Sequence, residues 1–441
     1  MTHPTRRLDR RRLILIGNLA IFMIGLGFAV RANIAGDIQR NLFDAIDLAR
    51  SASMVGEVIG ATFSGFALTL LIGSALLDHV GMKRMLAFAA FGFVFGSVIV
   101  LVTTLMPPSP SSYWAILAGF LLTGLGWGAV EAAANPMITA LHPEDKTHRL
   151  NILHAWWPAG IVIGGLAGLG ISALQVPWQT NLVLLVVPSL LLAWWVSTSL
   201  FPVTQRVASG ISHADMYLEI LRSPGFWLWF GCMMLTATSE LAPGQWVDLA
   251  LSNVVGMKGI VLLVYVSALM FVMRHFAGPI AHRIQPIGLL WCSSLFAAIG
   301  LYALSAAHTP IAAFAAATVW GVGVCYLYPT MLASVAERYP RGGAWLMGLM
   351  GFAAGLAIQF VLPRMGAIFD AAKVEAAGGV DAFANLSGEA LAEVLRHASV
   401  QSFRSVALVP VILLPVFGAI WWRERRRGSA VQTTPRPQET P

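Results

Sequence analysis

The sequence predicts an all-α integral membrane protein with twelve transmembrane helices in two pseudo-symmetric six-helix halves. Three observations predict it. Of 441 residues, 57% are apolar and 11% charged, whereas a soluble globular chain carries about 25% charged residues. Twelve apolar runs recur along the chain, each long enough to cross a bilayer. Runs above about 18 residues are twice what a barrel strand needs, and in lipid only helices and closed barrels satisfy their own backbone hydrogen bonds.

The runs fall at 13–35, 52–77, 85–106, 113–141, 152–174, 180–201, 225–251, 257–282, 287–307, 310–338, 343–368 and 403–422. Residues 1–12 form a basic tail, 13–201 the first half, 202–224 a central polar loop, 225–422 the second half and 423–441 a second tail. Within the second half, 370–402 reads as an outer polar insertion with a short amphipathic helix near Leu386 to Leu395. The first apolar run is long and lacks a clear small-residue cleavage pattern, so it reads as an uncleaved span. Twelve spans of about 21 residues occupy roughly 250 residues, which leaves no room for a sizeable soluble domain.

The 28 Lys and Arg against 21 Asp and Glu give a net charge of +7. In a soluble protein this would prompt a search for a nucleic-acid surface. Here the bases sort by loop: with the N-terminus cytoplasmic, 19 lie on the cytoplasmic side and 6 outside, Lys373 among the latter. That split predicts both termini in the cytoplasm and assigns the basic excess to orientation, with no nucleic-acid partner. Arg-rich, Lys-poor usage suggests the inner membrane of a bacterium. Cys232, Cys292 and Cys325 each sit in an apolar stretch with no metal-ligand or disulfide spacing and read as core residues.

Internal similarity supports two parallel six-helix repeats. Asn135-Pro136 ahead of Glu144 and Tyr328-Pro329 ahead of Glu337 recur at an offset of 193, and Ser74–Asp78 and Gly278–His282 at 204. No nucleophile elbow, acid-rich metal motif or phosphate-cradling loop is present, so an enzyme is not expected and no cofactor or metal is called for.

Charges inside a bundle are costly and seldom idle. The spans hold three acids, Glu57, Glu131 and Glu240, against three bases, Arg31, Arg274 and Arg364. Glu131 lies about 18 residues into its span, near mid-depth at 1.5 Å per residue. A carboxyl there can take up and release a proton unless an arginine holds it ionised. Coupling, solute ligation and a structural ion pair all remain open for it. Glu240 is similarly deep and reads as a second coupling, ligating or gating acid. Arg31 and Glu57 both fall toward the outer ends of their spans, which predicts a pair there, and Arg364 is placed to snorkel.

Aromatic faces stack on sugar C–H surfaces while amides and carboxylates bind hydroxyls. Asn33, Asn135, Asn151, His154, Trp157, Gln245, Trp246, Tyr328 and Gln359 are therefore the candidate solute ligands.

Two motifs carry a family resemblance. The connection Gly73-Ser74-Ala75-Leu76-Leu77-Asp78-His79-Val80-Gly81-Met82-Lys83-Arg84 joins a carboxylate at a helix end, a turn glycine and a basic pair. It resembles the 2/3-loop motif of the major facilitator superfamily, with Asp78, Gly81 and Lys83 at matching positions and Ser74 and Met82 departing. Glu131-Ala132-Ala133-Ala134-Asn135-Pro136, followed by Arg149-Leu150-Asn151, is similar to the fucose:proton symporter branch, as are Glu240 with Trp246 and Tyr328-Pro329-Thr330. His154 replaces that branch's Gln, Trp157-Pro158 its Asn-Gly, and Ile34 stands about where it has an aspartate.

The resemblance implies a monomeric secondary transporter of a small polar solute, with sugar as substrate class and protons as partners. It assigns Glu131 and Glu240 to coupling and makes Arg274 a conformational salt-bridge partner. Asp78, Gly81, Lys83 and Arg84 become conformational gates, with Arg31 and Glu57 as a further gating pair. A uniporter, or an exporter of amphipathic compounds, is the other reading.

Overall fold

The computed structural model describes residues 8–142, 146–255, 257–275, 284–339 and 341–432. The described residues form helices and connections with no strand. The major helices are α1 (Arg10–Ile38), α2 (Ser51–Val80), α3 (Met82–Thr104), α4 (Pro110–Leu141), α5 (Lys146–Ala173), α6 (Thr180–Ser197), α7 (Pro224–Val255), α8 (Ile260–His275), α9 (Pro286–Ser305), α10 (Pro310–Val324, then Leu327–Arg338), α11 (Gly343–Ala377) and α12 (Gly388–Ala407, then Val409–Gln432). Ten helical stretches among the described residues are long and apolar enough to cross a membrane, and α8 is a shorter apolar helix.

Local chemistry sets the helix ends. Asp9 caps α1 by accepting from the Arg12 backbone N–H at 3.0 Å. Pro110, Pro286 and Pro310 open α4, α9 and α10, where a missing N–H costs nothing. Gly81, at φ +83°, makes the single-residue turn between α2 and α3.

One expectation is refined and one corrected. The tenth span remains one stretch long and apolar enough to cross a membrane, with a two-residue break in α10 at Cys325–Tyr326. The stretch 370–402 is not an insertion beside the bundle. α11 runs on to Ala377, and the 20-residue Gly388–Ala407 segment of α12 buries Val394, Ala398, Phe403 and Val406. The short amphipathic helix expected near Leu386 to Leu395 runs on to Ala407, and its apolar face is packed on α7 and α11. Lys373, placed by sequence in an outer loop, is 1% exposed.

The halves meet along three seams, α1 with α7, α2 with α11 and α5 with α8. Between apolar helices in lipid, close van der Waals approach takes the place of water exclusion, and small residues permit it. On the α2–α11 seam the α2 glycines are Gly56 and Gly60, and those of α11 are Gly348, Gly351, Gly355 and Gly366. A Cβ on Gly366 would stand 2.6 Å from the Ala52 carbonyl, and one on Gly56 2.5 Å from that of Leu362.

Within the first half one very tight crossing joins α1 to α5. A Cβ on Gly25 would fall 1.9 Å from the Trp157 carbonyl, and one on Gly160 2.1 Å from that of Phe22. Backbone cannot yield as a side chain can, so Gly160→Val is expected to push α1 and α5 apart at a cost of about 1–3 kcal/mol or more. A lowered melting temperature and an aggregated size-exclusion profile would show it; a wild-type profile would refute it.

The face carrying both termini is tied across by the 197–223 connection. Asp78 accepts from the Arg206 guanidinium at 2.5 Å and from the Thr204 hydroxyl. Lys83 Nζ donates to the Ser197 carbonyl at 2.7 Å, while Arg84 is exposed. Tyr217, on the short helix His213–Leu221, donates to the Ala75 carbonyl at 3.2 Å and packs edge-on against Trp345 at 4.6 Å, bridging α2 to α11.

The opposite, distal face has its own tie. Asp370 of α11 accepts from the Ser53 backbone N–H at 2.8 Å and from the Ser53 hydroxyl at 2.6 Å. Lys373, one turn on, pairs with Asp370 at 2.6 Å and donates to the Leu48 carbonyl at 3.0 Å and to the Ser51 hydroxyl at 3.3 Å. A charge pair near the distal end of α11 in the second half thus docks on the start of α2 in the first.

Candidate functional site

A continuous polar core runs between the halves at mid-depth. In α4, Trp127, Glu131 and Asn135 recur every four residues and share one face over about 12 Å. Asn135 Nδ2 donates to Glu131 Oε2 at 2.8 Å, and its Oδ1 meets His154 Nε2 of α5 at 3.0 Å. The imidazole lies 3.9 Å from Glu131 Oε2, with both side chains largely buried. Glu131, Asn135 and Tyr328 line a small cavity with Leu332 and Met347 from the second half. The ring of Tyr328 faces His154 at 6.5 Å.

Arg274 of α8 joins this group to the second half. Its Nε donates to the Cys325 carbonyl at 3.2 Å, Nη1 to the His154 carbonyl at 3.3 Å and Nη2 to Glu240 Oε1 at 3.4 Å. The α10 break explains the first bond, since a helix end presents carbonyls without intrahelical donors. The guanidinium also sits 5.8 Å from the centre of the Trp157 ring. Glu240 is 6% exposed, and its Oε2 is buried with no partner. Glu240 is thus the carboxylate that Arg274 reaches, while the arginine's two other bonds go to backbone.

On the other side of Trp157, Phe28 meets the indole edge-on at 5.4 Å. Gln245 donates to the Phe28 carbonyl at 3.0 Å and accepts from Arg31 Nε at 3.4 Å, bridging α7 to α1. Arg31 lies over the Trp127 ring at 5.7 Å.

The expected Arg31–Glu57 pair does not form. Glu57 accepts from Tyr113 at 2.6 Å and pairs with Arg50 at 3.4 Å, seven residues earlier on the same side of the helix start. Depth in a span suggested the pairing, but facing direction decides it: Arg31 points toward α4 and α7. Asn33 is not brought into the core either; it donates to Asn181 of α6 at 3.1 Å. Gln359 sits on the α2–α11 seam beside Gly60, its Oε1 buried without a partner. Trp246 is fully buried in α7. The side chain of Asn151 and residue His282 lie outside the described residues. Arg364 is exposed.

Sequence reading missed Trp127, though it precedes Glu131 by one helical turn, the spacing that places two side chains on one face. It also missed the Asp370–Lys373 pair, which sits at i,i+3 just past an apolar run.

The pattern described as Major Facilitator Superfamily matches residues 19–362. The L-fucose-proton symporter of Escherichia coli (strain K12) is 26% identical over 131 residues, 29% of this chain and 29% of that protein, so the match spans under a third of that relative. Among solved structures, a D-xylose-proton symporter superposes with a TM-score of 0.72 at 14% identity, covering 92% of this chain and 97% of that one. A bacterial homolog of the human lysosomal transporter Spinster gives 0.67 at 16% identity over 97% and 98%. The E. coli fucose:proton symporter gives 0.57 at 19% identity over 91% and 99%. With the family pattern spanning most of the sequence and twelve helices arranged six and six, the chain belongs to the Major Facilitator Superfamily and is a multi-pass membrane transporter.

Proposed function

We propose that the chain is a secondary active symporter that carries a small polar solute of the sugar class together with protons, by rocking of the two halves around the mid-depth core. The observation that supports this best is the Arg274 constellation, in which one guanidinium binds Glu240 and Cys325 of its own half and the His154 carbonyl of the other. A charged group spanning the seam beside a cavity acid gives solute and proton a common place to act.

In this reading Glu131 takes up the proton. A charged carboxylate is expensive to seal in a dry interface, and neutralising it lowers that cost. Asn135, His154 and Tyr328, with Trp157 and Gln245, ligate the solute, and hydroxyls occupy the polar atoms while aromatic faces cover the apolar surface. Glu240, with its unpartnered Oε2, is the second acid available to solute or proton. Asp78, Gly81 and Lys83 hold the terminal face closed. The 19 to 6 distribution of bases supports a cytoplasmic terminal face in a bacterial inner membrane. The density of buried charge and amide supports a polar cargo over an amphipathic one.

Counterflow in proteoliposomes against hexoses, deoxyhexoses, amino sugars and disaccharides, with and without a pH gradient, tests it. The expected result is exchange of at least one sugar and uphill accumulation only when the gradient drives protons inward. Exchange indifferent to pH would indicate a uniporter, and exchange of no sugar would remove the sugar class.

A further inference from the structure

The two arginines at the core differ in how fully they are satisfied. Arg274 has all three guanidinium nitrogens on acceptors, one of them a carboxylate. Arg31 is 3% exposed, makes one long bond to Gln245, and keeps Nη2 buried with no acceptor. None of the ion pairs among the described residues includes it. Its nearest compensation is the Trp127 ring, and a cation–π contact is weaker than the desolvation cost of a buried guanidinium.

A second buried donor beside Arg31 also lacks an acceptor. Trp127 is gripped by Phe63 at 5.2 Å and Phe66 at 4.6 Å, and its Nε1 is buried without an acceptor. The amide oxygen that Arg31 reaches, Gln245 Oε1, is already engaged by its Nε. The ring under Arg31 belongs to a residue one turn, about 6 Å, along α4 from the cavity acid Glu131. A fixed cation with a free N–H edge beside an unpaired indole N–H is complementary to a carboxylate, and less so to a neutral hydroxyl.

We infer that the solute is itself acidic: Arg31, held by Gln245 and Trp127, receives the carboxylate of a sugar acid of the aldonate or uronate kind. This rests on the transport reading above and narrows its substrate class. The anion supplies the countercharge that the chain lacks, so the filled core can close where the empty one carries an uncompensated cation.

The test uses purified full-length protein with D-galacturonate and D-gluconate against D-galactose and L-fucose as neutral counterparts. Both acids are compared at millimolar concentration for their effect on melting temperature. Wild-type protein is expected to be stabilised by an acid by several degrees and by the neutral sugars little. Arg31→Gln is expected to lose that response, while its ligand-free form melts above wild type because an unpaired buried charge is gone; a structural arginine would give the opposite shift. Equal effects of galactose and galacturonate, an acid response kept in R31Q, or no acid response in wild type would each overturn the assignment. Should R31Q fail to fold, the wild-type comparison of acid with neutral sugar decides alone. Failure of the transport reading shows separately, as vesicles in which no solute accumulates with the pH gradient.

Discussion

Glu131→Gln is expected to abolish uphill solute uptake while leaving exchange intact. The glutamine keeps the shape of the side chain and one carbonyl-type oxygen, so it can still accept from Asn135 Nδ2, which lies 2.8 Å from Glu131 Oε2. It also keeps a neutral group near His154, and the helix is not perturbed. What it removes is the ability to alternate between charged and neutral states. If solute and proton are linked through this carboxyl, the substituted protein has one protonation state only, and the gradient can no longer act on the equilibrium between faces. Uptake under an imposed pH gradient should fall to simple equilibration, while counterflow, which needs only alternation of the loaded protein, proceeds. Full gradient-driven accumulation by the variant would exclude Glu131 as the coupling group. Coupling would then fall to Glu240, whose Oε1 accepts from Arg274 at 3.4 Å.

The second large effect is one of stability. Lys373→Met should destabilise the protein by about 3–5 kcal/mol, because it strands a buried carboxylate. Asp370 would retain the Ser53 hydroxyl and N–H but lose the ammonium 2.6 Å away. The double variant D370N/K373M removes the charge along with its partner and should recover most of the loss, since a buried pair replaced as a unit is often close to neutral. Thermal unfolding of the purified single and double variants measures both. Equal destabilisation by the single and double changes would mean that the pair does not act as a unit.

Much of the fold is legible in the sequence because the bilayer imposes it. A stretch of twenty apolar residues has one backbone solution, so most of the spans could be drawn from composition. Their chemistry is less legible, since hydropathy gives depth and not azimuth. Arg31 and Glu57 share a depth and face different neighbours, one toward Gln245 and Trp127, the other toward Arg50 and Tyr113. Glu131 and Asn135 could be placed together because i,i+4 spacing on α4 sets them on one face, while His154 stands where the resembled branch has Gln. The break at Cys325–Tyr326 is announced by Pro329, which cannot donate to the Cys325 carbonyl four residues earlier, but only the structure shows that Arg274 takes up the freed carbonyl. The amphipathic helix near Leu386 to Leu395 is legible from its spacing, but that it runs on to Ala407 and packs into the bundle is recognisable only once α7 and α11 are in place.

The glycine seam between α2 and α11 has a mechanical consequence. Its contact surface runs from Ala52 to Ser74 on one helix and from Gly348 to Gly366 on the other, with backbone against backbone at Gly56 and Gly366 and bare glycine under the Phe66 and Leu70 side chains between. Interlocked side chains would have to be withdrawn and reseated at each step. Bare backbone lets one helix roll or glide on the other, like a plain bearing between two shafts. Resistance to motion is then concentrated at the ends of the shafts, at the Asp78 clasp on one face and the Asp370 clasp on the other. A cycle of this kind can be driven by small differences in binding energy, because the middle of the machine offers little friction to overcome.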